Sequence, residues 1–141
     1  ANHEKLAKRW LVFGNHILSK STLPARDREI AILRIGWLCQ AEYEWGQHVV
    51  IGKHAGINDE EIEAIKVGAD AAWSEHDALV IRAADELHGD AFITDDTWTG
   101  LKKTYSDQQM MDLVFTCGQY NMVSMALNSF GVQLDPDISG F

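Results

Sequence analysis

A carboxylate and an imidazole stand one helical turn apart at Glu44 and His48. Residues four positions apart share a helix face, and the other members of this row are Ala41, Ile51 and Ala55. An unpaired charge is costly to bury on such an apolar face, whereas paired groups shift each other's pKa values. The carboxylate would favour the imidazolium and orient its ring. The pair is therefore either an acid–base site on a buried face or an ordinary ion pair on a solvated helix.

Glu29 repeats this pattern on the preceding predicted helix. It shares a face with apolar or small residues, namely Ala25, Ile32, Leu33 and Gly36. Ionisable groups on two inward faces suggest one shared site. In a single straight helix Glu29 and His48 would lie about 28 Å apart, at ~1.5 Å per residue, so they can meet only if the chain folds back near Gln40–Ala41. No Gly or Pro marks such a turn, although one helix over residues 24–55 would be unusually long for so small a domain.

The charge balance narrows the range of partners. The chain has 12 Lys and Arg against 21 Asp and Glu, a net charge of −9. Such a surface repels nucleic acid and anionic lipid, because both bind clustered basic residues. No window reaches the about 18–20 uninterrupted apolar residues that a membrane helix needs, and the charged residues 1–10 lack the apolar core of a signal peptide. We expect no nucleic-acid or membrane partner and a cytoplasmic location.

The two cysteines, Cys39 and Cys117, stand far apart and form no metal-binding or redox motif. Free cysteine is usually buried, so we interpret both as apolar core residues rather than as a disulfide. Reduced thiols fit a cytoplasmic protein.

Apolar residues recur at helical spacing along nearly the whole chain, and sustained strand-like alternation is absent. This pattern predicts a single all-α domain over residues 1–141 with about six to seven helices. Pro24 suits a first helical position, and Gly89 suits a helix end. Asn58 and Ser106 each begin a capping-box pattern. The predicted helices cover about residues 4–19, 24–39, 42–55, 58–67, 74–88, 94–105 and 106–129.

The last predicted helix is apolar nearly all round, which favours burial at the centre of the domain or between subunits. One stripe of small and mostly polar residues interrupts it: Cys117, Asn121, Ser124 and Asn128. The stripe indicates either close helix packing or, at Asn121, a pocket wall.

Three segments of the chain resemble carboxymuconolactone decarboxylases and alkylhydroperoxidase D-like proteins. They are residues 23–34, residues 39–57 with the run Cys39-Gln-Ala-Glu-Tyr-Glu-Trp-Gly-Gln-His48, and residues 113–123. The resemblance implies a compact AhpD-like helical bundle. Peroxidases of this family carry a Cys-x-x-Cys pair whose positions fall here on Ala41 and Glu44, so the resemblance implies that the redox dithiol is missing. It points instead to proton transfer, as in the decarboxylase branch.

We therefore expect a lyase or isomerase that needs no cofactor or metal and acts on a small carbonyl or lactone compound. His48 would be the general acid and base, Glu44 its orienting partner, and Glu29 the end of the relay. Arg34 lies about one turn beyond Glu29 and could hold a substrate carboxylate, although a salt-bridged Arg would look the same in sequence. The candidate substrate-binding residues are Arg34, Tyr43, Trp45 and Asn121.

Three other interpretations remain open. Glu29, Glu44 and His48 could bind iron or manganese, which carboxylate and imidazole ligands suit. A peroxiredoxin-like antioxidant activity could use Cys39 or Cys117. The protein could also be a non-catalytic partner module. In every case the apolar last helix favours a homo-oligomer, and the family resemblance implies a dimer, trimer or hexamer.

Overall fold

Residues 2–141 are described by a computed structural model, and Ala1 lies outside the described residues. The described part is built from helices and contains no strand, which confirms the predicted all-α class. The helices are α1 (Glu4–Asn15), followed by a π-helical segment (His16–Lys20), α2 (Ala25–Leu38), α3 (Glu42–His54), α4 (Asp59–Val67), α5 (Glu75–Asp90), α6 (Asp95–Lys102) and α7 (Asp107–Phe130).

The helix boundaries follow the local signals in most places. Asn58 and Ser106 each accept a hydrogen bond from the backbone three residues on, as part of complete capping boxes. The predicted end of α5 at Gly89 is wrong, because the helix continues to Asp90 and Ala91 provides the left-handed cap with φ 56°. Glycine is therefore not required at this helix end, since the backbone of Ala91 still reaches the Leu87 carbonyl.

The chain folds back between α2 and α3, as the shared site requires. Gln40 adopts a left-handed conformation with φ 50°, which costs a residue with a side chain about 1–2 kcal/mol. Two hydrogen bonds offset this cost: the Gln40 side chain donates to the Trp37 carbonyl at 2.7 Å, and the Ala41 backbone donates to the Gly36 carbonyl at 2.9 Å. The turn places α3 against α2.

The centre of the bundle is α2 rather than α7. Helix α2 packs against α3, α4, α5 and α7, and every residue from Glu29 to Gly36 is buried. Helix α7 buries one side only. Its other side exposes large apolar residues, namely Met111, Phe115, Met122, Met125 and Phe130. Burial of α7 at the centre of the domain is therefore the wrong alternative, while burial between subunits stays a prediction.

No helix within residues 2–141 combines the length and the apolar character needed to cross a membrane.

Candidate active site

The structure brings Glu29, Glu44 and His48 together in one row. The imidazole lies between the carboxylates, with Nδ1 at 2.5 Å from Glu29 Oε1 and Nε2 at 2.8 Å from Glu44 Oε1. The row is buried, since Glu29, Glu44 and His48 are 0%, 6% and 5% exposed. Each ring nitrogen therefore has a carboxylate partner, which a solvated ion pair on a helix would not provide.

Two helices position this row. Glu44 and His48 lie one turn apart on α3, and Glu44 is in its first turn, where the helix dipole favours a negative charge. Glu29 comes from α2, which approaches α3 closely at Gly52. A Cβ atom at Gly52 would stand 3.3 Å from Leu33 and 3.8 Å from the Glu29 side chain. The small residue therefore allows α2 and α3 to pack closely beside the row.

The environment keeps His48 charged. Burial opposes the imidazolium and lowers the pKa of His48, but hydrogen bonds from the ring to Glu29 and Glu44, together with their negative charges, outweigh burial and raise this pKa to about 9. Arg28, which the sequence interpretation did not single out, binds the other Glu29 oxygen, with Nε 2.8 Å from Oε2. At neutral pH the row is thus an imidazolium between two carboxylates, closed on one side by a guanidinium.

Tyr120 is a second neighbour that the sequence interpretation missed. Its ring meets the His48 ring edge-on, with centroids 4.9 Å apart. Burial, and then the negative charges of Glu44 and Glu29, raise the pKa of its phenol, which stays protonated at neutral pH. No spacing rule links α7 to α3, so the sequence offered no signal for this contact.

The row opens on a cavity of about 390 Å³ between α1, the π-helical segment, α3 and α7. Its polar walls include Tyr43, Glu44, His48, Gln119 and Tyr120. Its apolar walls are Trp10, Leu11, Leu18 and Val123. The volume lies within the range of small-molecule sites, which are mostly apolar with a few polar groups. The buried row and a molecule of modest size can therefore meet here.

The four predicted substrate contacts separate in the structure. Tyr43 lines the cavity. Trp45 is 1% exposed, with its ring against Trp37 and Phe141. Trp45 therefore belongs to the core. It is not among the described residues that line the cavity.

Arg34 and Asn121 also lie away from the row. The Arg34 guanidinium binds Asp85 at 2.6 Å and the Ile65 carbonyl at 2.7 Å, which ties α2 to α4 and α5. Asn121 lines a different cavity, of about 250 Å³, where its Oδ1 accepts hydrogen bonds from the Cys39 thiol at 3.2 Å and from His88 Nδ1 at 2.8 Å. The pocket-wall interpretation of Asn121 thus applies to a cavity other than the one at His48.

The row is not arranged as a metal site. A metal needs ligand atoms that converge on one point, whereas the imidazole of His48 separates Glu29 from Glu44.

Asp27, His76 and Asp77 form a different group whose side-chain atoms are close enough together to hold a cation. These atoms already have partners, because Asp27 accepts from Tyr105 and His76, and Arg26 lies 2.9 Å from Asp77. A cation would have to replace these bonds.

Both cysteines are free thiols. Burial raises the pKa of Cys117 to about 12. Burial also raises the pKa of Cys39. The thiolate is the reactive form of cysteine, so neither thiol is activated at neutral pH.

The sequence profile of the carboxymuconolactone decarboxylase family matches residues 4–86, more than half of the chain. The chain belongs to this family. The matched region includes Glu29, Glu44 and His48 but not α7. A comparison with curated proteins finds no match.

Solved structures of similar shape are AhpD-like proteins. A protein of unknown function from Agrobacterium tumefaciens, described as a candidate AhpD antioxidant defence protein, superposes with a TM-score of 0.88 and 18% identity over 96% of this chain and 94% of that one. An uncharacterised peroxidase-related protein from Silicibacter gives 0.84 and 12% over 96% and 73%. An alkylhydroperoxidase AhpD core protein from Ralstonia eutropha gives 0.85 and 11% over 96% and 74%. These similarities confirm the predicted AhpD-like fold.

Proposed function

We propose that this chain is a lyase or isomerase that transfers a proton on a small carbonyl or lactone compound without a cofactor. The observation that carries the proposal is the buried carboxylate–imidazole–carboxylate row that opens on a cavity. Such a row can hold a proton and return it, which is what abstraction beside a carbonyl and reprotonation of the resulting enolate require. Membership of the carboxymuconolactone decarboxylase family supports the same class of reaction.

The geometry changes the roles expected from the sequence. Both nitrogens of His48 are engaged, so the imidazole has no free lone pair for a substrate. Glu44 lines the cavity and uses one oxygen to bind His48, which leaves its other oxygen to accept the substrate proton. We therefore assign Glu44 as the base. His48 orients Glu44 and balances its charge, and Glu29 holds His48 in place.

The phenol of Tyr120 completes the proposed reaction. Tyr120 lines the cavity, and its raised pKa keeps the hydroxyl protonated. A hydroxyl can donate a hydrogen bond to the oxygen of an enolate as charge develops there. Glu44 then returns the proton to a carbon of the enolate, which completes an isomerisation.

Solvent exchange tests this proposal directly. Small ketones and lactones incubated with the protein in D₂O should lose the NMR signal of the hydrogens beside the carbonyl, because Glu44 exchanges its proton with solvent between abstraction and return. We expect at least one compound to exchange about 100-fold faster than in buffer with heat-inactivated protein. A broad set in which no compound exchanges above that control would reject the proposal.

An antioxidant activity is the second candidate, favoured by the similarity to proteins described as peroxidase-related. Without a thiolate the reaction with a hydroperoxide lacks its nucleophile. We expect the double variant Cys39→Ser, Cys117→Ser to retain the exchange activity of the unchanged protein within about twofold, since neither thiol belongs to the row. Hydroperoxide consumption by the unchanged protein, lost in the double variant, would instead favour the antioxidant function.

A homo-oligomer, a single domain and a cytoplasmic location stay predictions. The apolar exposed side of α7 supports the first, because monomers rarely expose large contiguous apolar patches.

A further inference from the structure

We infer that the site selects an uncharged substrate, and that Gln119 is the residue that binds its carbonyl or hydroxyl group. The inference rests on the proposed function and concerns the same cavity. A site that selects uncharged substrates would not catalyse a decarboxylation, because decarboxylation requires a carboxylate on the substrate.

The charge around the cavity favours an uncharged ligand. No Lys or Arg is found among the described residues that line it. The one cationic group in the wall is His48, and both of its nitrogens already face carboxylates. The Arg28 guanidinium donates hydrogen bonds to Glu29 and to the Leu18 carbonyl, and Arg28 does not line the cavity.

An anionic substrate would therefore meet Glu44 without a cation to hold it. Like charges in a partly desolvated site repel more strongly than in water. The chain as a whole adds to this effect with its net charge of −9. An uncharged ketone or lactone meets no such barrier, and the apolar side chains of Trp10, Leu11 and Val123 provide a matching surface.

The cavity wall also contains a buried amide side chain, that of Gln119. Gln119 on α7 lines the cavity, is 4% exposed, and its Oε1 has no hydrogen-bond partner among residues 2–141. Buried polar groups are normally paired, so an unpaired one calls for an explanation. Gln47 in the same wall is different, because its amide donates to Asp135 at 2.8 Å. Because Oε1 is closed off from the cavity, the part of the amide left for a ligand is Nε2, which can donate to a ligand oxygen.

The amide also fixes the kind of group that it binds. Its uncharged NH₂ group can donate to a carbonyl or hydroxyl oxygen, but it offers no positive charge to hold a carboxylate. Gln119 is adjacent to Tyr120, the proposed donor to the enolate, and both line the cavity. A small ketone or lactone held by these two residues would lie in the same cavity as Glu44, the proposed base. This arrangement points to isomerisation or elimination of an uncharged compound.

A matched pair of ligands tests the selection by charge. γ-Valerolactone is uncharged, and its hydrolysis product 4-hydroxypentanoate is an anion of nearly the same size at neutral pH. Titrating the ¹⁵N-labelled protein with each compound should shift the Gln119 side-chain amide signal, with at least tenfold tighter binding of the lactone. Equal or tighter binding of the anion would overturn the inference, and so would an amide signal that neither compound shifts.

Variants test the assignment of Gln119. Gln119→Leu keeps a similar volume without the amide and should weaken lactone binding at least fivefold. Binding is measured from the change in Trp fluorescence that the ligand causes. Gln133→Leu is the control, because Gln133 is exposed and outside the cavity. If Gln119→Leu fails to fold, Gln119→Asn shortens the side chain, keeps the amide and should also weaken binding. Unchanged lactone binding in a folded variant would reject the role of Gln119.

The deuterium exchange of the two compounds separates this inference from the proposed function. Exchange of the lactone supports proton transfer; hydrogens beside a carboxylate are intrinsically much less acidic, so the selection by charge is judged from the binding of the two compounds. Exchange that is as fast for the anion as for the lactone supports proton transfer and rejects the selection by charge. Selective binding of the lactone, without exchange of any compound in the set, rejects proton transfer and keeps the selection by charge.

Discussion

Replacing Glu44 by Gln is expected to lower the rate of proton exchange about 10²- to 10⁴-fold, which is the usual contribution of a general base. The amide has nearly the shape of the carboxylate and can still accept a hydrogen bond from His48 Nε2, so the row should keep its geometry. It cannot take up a proton from carbon. The loss should therefore appear in kcat, with KM little changed, because an uncharged substrate does not need the charge of Glu44 for binding.

The control for this experiment lies on the same helix. Glu42→Gln removes the same charge from the first turn of α3, but Glu42 is exposed and outside the cavity. We expect exchange by Glu42→Gln to stay within about twofold of the unchanged protein, as is usual for a surface site away from the reaction. An exchange rate in Glu44→Gln equal to that of Glu42→Gln, in protein with an unaltered circular dichroism spectrum, would remove Glu44 from the reaction.

The candidate row could be found in the sequence because helix periodicity is a strong signal. Glu29, Glu44 and His48 each fall among apolar residues at helical spacing, and a charge in that position needs a partner. Whether Glu29 on α2 could reach His48 on α3 depended on the turn at Gln40. Glutamine has no special preference for the left-handed region, so the sequence permitted this turn without indicating it.

The substrate contacts were less predictable for a different reason. Spacing tells which residues share a helix face, but not which helix packs on that face. Arg34 and Trp45 are close to Glu29 and Glu44 in sequence, yet their side chains contact other residues: Arg34 binds Asp85, and Trp45 packs against Trp37. Gln119 comes from α7, far along the chain, and only packing in three dimensions brings it to the cavity. The roles within the row likewise needed distances, because they depend on both nitrogens of His48 being occupied.

The choice of the central helix shows the same limit. Both α2 and α7 carry apolar residues around much of their circumference. Helix α2 is covered by four neighbours, whereas α7 leaves one side open. Composition alone does not distinguish a helix buried within a subunit from one that is suited to burial between subunits.

Raising the pH should destabilise the fold through His48. The pKa of His48 is about 9 in the folded chain against 6.5 for an ordinary histidine, so the folded state holds a proton that the unfolded state releases between these values. The resulting stabilisation is fully present below pH 6.5 and disappears as the pH rises through 9. At 1.36 kcal/mol per pKa unit it amounts to about 3 kcal/mol, of which about 2–3 kcal/mol should be lost between pH 6 and 8.5.

Urea unfolding at a series of pH values measures this loss as a fall in the free energy of unfolding. The series stops at pH 8.5 because Cys39 and Cys117 also have raised pKa values and add a fall of the same sign at higher pH. His54→Gln is the matched control, since His54 is an exposed histidine at the other end of α3 and should leave the slope unchanged. NMR titration of the folded protein gives the pKa of His48 directly. A flat stability profile from pH 6 to 8.5, or a His48 pKa near 6.5, would show that the imidazole does not carry the charge on which the proposed row depends.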